Sequence, residues 1–352
     1  MYRDFKYLIA YILPLAGYLG LYLGGWWSFG SIYVAFLALP LLELILPSRT
    51  DVHAPEEEEA RSGRTFFDYL LYLNLPLLAG AIVYLLHVTT TRELAGYELT
   101  GMICNVGLMV GTMGINVGHE LGHRTSVFEQ RIAQALLLFG LYMHFFIEHN
   151  RGHHRHVATP LDPATSRRGQ SVYAFWVRSV ALSWWHAWQL EADRLRKAGR
   201  PVVSLDNQML VFQSIQVVYL GLITAIFGVT GLWVAVATAV FGFLMLETVN
   251  YIEHYGLVRR QTRTGRYEPV LPIHSWNSNH ELGRIFLYEL TRHSDHHYRA
   301  TRKYQVLRSF EESPELPSGY PACMLMSLLP PVWFAVMDRR VDAFAGSLVP
   351  GE

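Results

Sequence analysis

Residues 101–123 read GMICNVGLMVGTMGINVGHELGH. The uncharged, mostly apolar run 101–118 continues without a break into His119-Glu120-Leu121-Gly122-His123. A helix needs about 20 apolar residues to cross a hydrocarbon core, so 101–118 reads as a membrane span. On a helix, residues four apart share a face, so His119 and His123 can reach one ion from the end of that span. A membrane helix that ends in metal-binding side chains sets the expectation for the rest of the chain.

Outward from this segment, five more stretches have the same character: 7–24, 28–46, 67–88, 210–227 and 230–249. The breaks at Gly25-Trp26-Trp27 and Gly228-Val229 are short enough to predict two helical hairpins. A shorter apolar stretch, 132–147, predicts a helix that dips into the bilayer or packs beneath it. Over 172–200, Trp176, Val180, Trp184 and Trp188 recur at four-residue spacing before a charged end, the pattern of an interfacial helix. If the amino terminus is cytoplasmic, the outward connections are 25–27, 89–100 and 228–229. Of 29 Lys and Arg residues, Arg92 alone falls there, the sorting expected of a membrane protein. Arg3 and Lys6 before 7–24 suit a retained first span better than a cleaved signal. The expectation is a single all-α, polytopic membrane domain over 1–352. Six transmembrane helices would carry a cytoplasmic histidine-rich helical cap, 119–209 and 250–352, that holds a dimetal site. The acidic run Glu56-Glu57-Glu58-Glu59 reads as a solvated loop.

Composition agrees. Half the chain is hydrophobic (51%) and only 16% is charged, against roughly 25% for an average soluble domain. Zero net charge leaves no basic excess for nucleic acid. Two cysteines, Cys104 and Cys323, exclude a disulfide framework, a zinc ribbon and a fused cysteine-ligated iron centre.

The sixteen histidines are not scattered. Beyond 119–123 they gather in Glu148-His149-Asn150-Arg151-Gly152-His153-His154, Asn250-Tyr251-Ile252-Glu253-His254-Tyr255-Gly256 and Arg292-His293-Ser294-Asp295-His296-His297. Helical spacing puts His149 and His153 on one face with His154 beside them, and predicts that His293, His296 and His297 converge. Nine imidazoles (119, 123, 149, 153, 154, 254, 293, 296 and 297) suit two ions of four or five ligands each. Imidazole accepts iron, copper, nickel or zinc, so ligand type does not choose among them. Glu120, Glu148, Glu253 and Asp295 each point away from their own cluster and are expected to support a histidine of a neighbouring one. A protease built on HELGH, with Glu120 as base, would use only three protein ligands and leave most clusters idle. A metal transporter would carry acidic or histidine residues inside the spans rather than at their ends.

The strings HELGH, EHNRGHH, NYIEHYG and RHSDHH, in this order, resemble the histidine boxes of the integral-membrane alkane 1-monooxygenases, within the membrane desaturase and hydroxylase superfamily. So do Val157-Ala158-Thr159-Pro160 with Asp162-Pro163, His274-Ser275-Trp276-Asn277-Ser278-Asn279-His280, Tyr304-Gln305-Val306-Leu307-Arg308 and Leu316-Pro317-Ser318-Gly319-Tyr320. The HxxxH and HxxHH spacings are shared with membrane desaturases; HYG, SWNSNH and the long third box are the specific part. The resemblance implies insertion of one oxygen atom from O2 into a terminal C–H bond of a linear alkane, at two non-haem irons held by the nine histidines. It also implies electrons from a rubredoxin fed by an NAD(P)H-dependent reductase, and an inner-membrane location with both termini and the metal site cytoplasmic. Asn250 and His280 join the expected supporting residues. Leu108, Thr112, Met113 and Ile115 are expected to line a substrate channel, and Arg151, Arg155, Arg259, Arg260, Arg302 and Lys303 to dock the electron donor. His156 and His274 are reserve or supporting groups, His144 and His186 structural, His53 and His87 incidental. Rival chemistries on the same scaffold are acyl-chain desaturation and hydroxylation of alkyl-aromatic methyl groups.

Overall fold

The computed structural model describes residues 2–50 and 52–348; the last residues of the expected cap, 349–352, lie outside the described residues. The described chain is helical, with isolated backbone bridges in place of named strands. Helices α1 (Asp4–Leu23) and α2 (Gly25–Glu43) form the first hairpin. Gly24 and Gly25 both have positive φ (63° and 55°), a conformation that needs glycine. The pair closes tightly because a Cβ on Gly30 would come within 2.2 Å of the Ala16 carbonyl oxygen. Small residues permit this backbone approach between membrane helices.

Helix α3 (Pro55–Ser62) carries the acidic run. Glu58 is not a solvated loop residue but accepts both Nε and Nη2 of Arg308 at 2.5 Å. Helix α4 (Thr65–Thr91) leads to α5 (Gly96–Gly122), the helix of the opening motif. Its most apolar window is 83% buried, against 22–44% for the other long helices, so α5 is the central post of the bundle. Asn105 ties it to the hairpin: Nδ2 donates to the Gly17 carbonyl at 2.9 Å and Oδ1 accepts the Ser31 amide at 2.8 Å. Before the histidines, Val110–Asn116 relaxes into a π-helical turn.

The stretch 132–147 is not one helix. Helix α6 (Val127–Phe139) ends at Gly140, and Leu141 takes φ 51°. The chain folds back against α5, where a Cβ on Gly140 would meet Ile115 at 3.1 Å. Helix α7 (145–156) then carries the second histidine cluster. Helix α8 (Val172–Lys197) starts at Ser171, whose side chain accepts the Ala174 amide. Its packed face is Val172, Phe175, Ser179, Ser183, Ala187, Glu191 and Leu195, whereas Trp184 and Trp185 are exposed. Of the expected row, Trp184 is exposed, whereas Trp176, Val180 and Trp188 are partly buried and pack against the core beside that face.

Helix α9 (Gln208–His254) is broken at Gly228 (φ 69°). Beyond the break the chain returns along itself, since a Cβ on Gly231 would lie 3.7 Å from Ile223 Cγ2. Five helices are thus long and apolar enough to cross a membrane, and the fifth comprises both 210–227 and 230–249. Their outer surfaces expose Leu15, Leu19, Val217, Val218, Ile226 and Trp233. Exposed apolar surface on several such helices is stable in lipid and not in water. The chain is a multi-pass membrane protein. Short helices α10 (Glu281–Phe286), α11 (His293–Tyr298), α12 (Tyr320–Ser327) and α13 (Pro330–Ser347) complete the assembly.

Candidate metal centre

The nine histidines converge from α5, α7, α9 and α11. Their ring nitrogens form two sets, each within 4.8 Å of one another: His119, His123, His149, His154 and His296, and His153, His254, His293 and His297. Inside the first set, Nε2 of His119 is 2.8 Å from that of His296, His149 is 3.1 Å from His123, and His154 is 3.0 Å from His149. Inside the second, His297 is 2.8 Å from His293 and 3.2 Å from His153, and His293 is 3.3 Å from His254.

These spacings fit metal donors. Two nitrogens about 2.1 Å from one ion and at right angles to it are about 3.0 Å apart. Hydrogen bonding alone cannot account for Nε2 of His293, which faces two imidazole nitrogens and a carboxylate with at most one proton to give. Burial and the neighbouring imidazoles hold His149, His154, His293, His296 and His297 well below the ordinary histidine range, and burial pushes His123 down to about 3. Neutral imidazole is the ligating form. His153 differs: against the burial that would lower it, the Asp162 carboxylate holds it above its usual value.

The structure corrects the helical-face reading of two clusters. His149–His153 is a π turn, so His149 and His153 part, and His149 joins His154 instead. On α11, His293 and His297 share a set while His296 crosses to the other. Each of these clusters therefore straddles both sets, which locks the two together.

The supporting carboxylates also differ from expectation. Glu120 accepts Arg124 at 2.7 Å and the Tyr304 amide at 3.1 Å, and Asp295 accepts Arg302 at 2.9 Å and the Arg308 amide at 2.8 Å. Glu148 pairs with Nδ1 of His186 at 3.0 Å, giving that histidine a defined partner outside the clusters. Of the four, Glu253 alone meets a clustered histidine: one oxygen is 3.2 Å from His293 and the other accepts the Tyr320 hydroxyl at 2.8 Å. Asn250 instead faces Glu247 at 3.4 Å. His280, His274 and His156 belong to neither set; His280 makes a backbone bridge to Ser48 and His274 pairs with Glu268. Sequence reading passed over Asp162, whose Oδ2 lies 2.9 Å from Nδ1 of His153. The Thr165 hydroxyl and the Ala164 amide donate to the same carboxylate. Its presence in the Asp162-Pro163 string was the available signal.

Residues 99–325 match the fatty acid desaturase family model. The alkane 1-monooxygenase of Ectopseudomonas oleovorans is 38% identical over 98% of this chain and 87% of its own length. Alkane 1-monooxygenase 2 of Pseudomonas aeruginosa is 39% identical over 98% of this chain and 94% of its own. The chain belongs to the alkane 1-monooxygenase family. It is an oxidoreductase. The hydroxylase component of xylene/toluene monooxygenase from Pseudomonas putida is also similar, at 30% identity over 95% of this chain and 88% of its own length.

In this member of the alkane 1-monooxygenase family, an apolar cavity lies beside α5 and includes Asn116, three residues before His119. Leu108 and Thr112 line it, together with Leu13, Phe36, Met245 and Phe286. Met113 and Ile115 do not: both are buried in the core, and Ile115 faces Gly140. The π turn between Leu108 and His119 rotates the exit of the helix, so a face drawn with α-helical spacing misplaces these two residues. Of the six basic residues, Arg155 and Arg260 are exposed. Arg151 pairs with Glu191, and Lys303 with Asp68. Arg259 is 7% exposed and spends its guanidinium on the carbonyls of Glu268, Arg155 and Val157. Arg302 is held by Asp295. Arg259 and Arg302 are thus structural ties rather than a free docking face.

Proposed function

We propose that this protein hydroxylates linear alkanes at the terminal carbon to 1-alkanols, consuming O2 and two electrons at two non-haem irons. His119, His123, His149, His154 and His296 would hold one iron, and His153, His254, His293 and His297 the other. The observation that carries this reading is that nine convergent imidazoles and an apolar cavity share the same membrane helices, with Asn116 of the cavity three residues before His119. An alkane offers no group for hydrogen bonding, so recognition must come from apolar shape and from water exclusion. When bound, the irons supply the oxidising power that an unactivated C–H bond demands. The chain's own residues would hold the ions in fixed places, align the substrate along the cavity between Leu108 and Asn116, and keep water out of it.

Electrons would come from a rubredoxin served by an NAD(P)H-dependent rubredoxin reductase. Cys104 and Cys323 are the two cysteines of the sequence, fewer than the four thiolates that a cysteine-ligated iron–sulfur centre takes. Arg155 and Arg260, with Arg151 and Lys303, remain the basic groups for such a partner. We place the protein in the inner membrane with both termini and the histidines cytoplasmic, six spans crossing, and residues 119–209 and 250–352 forming the cap of one domain.

The test is metal analysis and product detection on the purified protein with octane, O2 and a rubredoxin reducing system. Two irons and 1-octanol are expected; one zinc without alcohol would overturn the reading. A second reading, hydroxylation of alkyl-aromatic methyl groups, is favoured by the xylene/toluene relative. Octane and xylene in competition separate the two by the ratio of their products.

A further inference from the structure

One polar group lining the apolar cavity has incomplete bonding. Asn116 stands at the end of the π turn, three residues before His119, and is 6% exposed. Its Nδ2 donates to the Leu287 carbonyl at 3.2 Å. That contact assigns the amide, because the end facing a carbonyl must be the NH2. Oδ1 is left buried with no hydrogen-bond partner among the described residues. The cavity's two hydroxyl groups are committed elsewhere: Thr112 donates to the Leu108 carbonyl at 2.9 Å, and Tyr320 to Glu253 at 2.8 Å. A buried acceptor without a donor is destabilising, and an alkane cannot relieve it. A primary alcohol can.

We propose that Asn116 Oδ1 accepts the hydroxyl hydrogen of a primary alkanol whose chain fills the apolar cavity. The site then recognises alkanols as a ligand class of their own, with the hydroxyl at Asn116 and the alkyl chain running toward Leu108. Leu108 and Asn116 stand eight positions apart on α5 and both line the cavity, so one chain lying in it can touch both. The inference rests on the alkane-hydroxylation reading, because it makes the reaction's product a ligand of its own cavity. The hydrogen bond acts on binding and on product release, and no bond is made or broken in it. The acceptor also sets a preference: a ligand that can donate is held, and one of equal size that can only accept is not.

The experiment compares equilibrium binding of 1-octanol, methyl heptyl ether and nonane to the purified full-length protein. Saturation-transfer NMR with displacement reads the three ligands, which match in heavy-atom count. Wild-type protein is expected to prefer 1-octanol over the ether by about 5- to 10-fold, the worth of one neutral hydrogen bond. In Asn116→Leu that ratio should fall to near unity while nonane still binds. Ratios between proteins cancel partitioning of the ligands into detergent. Equal affinity for octanol and ether in the wild type overturns the proposal, as does a preference that survives in Asn116→Leu. The wild-type comparison decides the matter even where the variant does not fold. If nonane and octanol bind without discrimination against the ether, only the role of Asn116 falls. If none of the three binds, the alkane reading falls with it.

Discussion

His153 is the residue at which the centre is most finely balanced. It leaves the cluster partners beside it in sequence, joins the set on α9 and α11, and is held there by Asp162 at 2.9 Å. A carboxylate on the far ring nitrogen fixes both tautomer and orientation of a ligating imidazole. Asp162→Asn should therefore weaken metal binding by about 10- to 100-fold at the four-histidine set and spare the five-histidine set. Titration of metal into the metal-free protein checks this: loss of one binding phase supports the role, and two unchanged phases refute it. The buried imidazoles also predict an acid response. His123 is pushed down to about 3, so below pH 6.5 the unfolded chain takes up a proton that the folded chain refuses. Stability from this group is present above pH 6.5 and lost as pH falls toward 3, with a slope of about 1.4 kcal/mol per pH unit. His149, His293, His296 and His297 act in the same direction. The melting temperature of the metal-free protein should fall steadily below pH 6.5, and a flat profile would contradict the burial described.

Elements place these residues through register and close approach. The π turns at Val110–Asn116 and His149–His153 each change which side chains share a face. Gly152, in the second of them, has no room for a side chain: a Cβ would lie 2.5 Å from Glu148 Oε1 and 2.9 Å from His186. Gly152→Ala should cost about 1–3 kcal/mol by overpacking and lower metal affinity with it, read by melting temperature and metal content. At the other end of the bundle, Gly30→Ala would drive a methyl group into the Ala16 carbonyl and part α1 from α2. A loss of similar size, about 1–3 kcal/mol, is expected there, with the metal stoichiometry of the folded fraction unchanged. The long apolar helices were legible from hydropathy, since burial in lipid demands little beyond length and composition. The break within 132–147 was not legible. It depends on what the neighbouring helix presents, here Ile115 of α5 against Gly140.

At the scale of the whole molecule, the two metal sets tie together helices that are far apart in sequence. Chelating both ions should lower the melting temperature well beyond the effect of losing a surface ligand, because binding free energy at such sites is also folding free energy. Calorimetry with and without chelator measures it. Docking of an acidic electron donor should weaken with added salt over a Debye length of about 8–10 Å, and Arg155→Glu with Arg260→Glu should remove most of that dependence. If the double variant keeps the wild-type salt profile, the donor binds elsewhere.

Hydropathy was sufficient, by itself, to establish a helical membrane protein, the clustering of nine histidines to mark a candidate metal site, and the strings around them to point to its family. Each of those properties is local: an apolar run needs lipid wherever it folds, and imidazole is a metal donor in any context. The division of the nine into five and four was decided only by the tertiary structure. So were the partners of Glu120, Glu148, Asp295 and Arg259, the hold of Asp162 on His153, and the unpaired acceptor of Asn116 in the cavity. All of these depend on π turns that shift helical register and on loops that bring distant residues within 3 Å, and no periodicity in the chain encodes either.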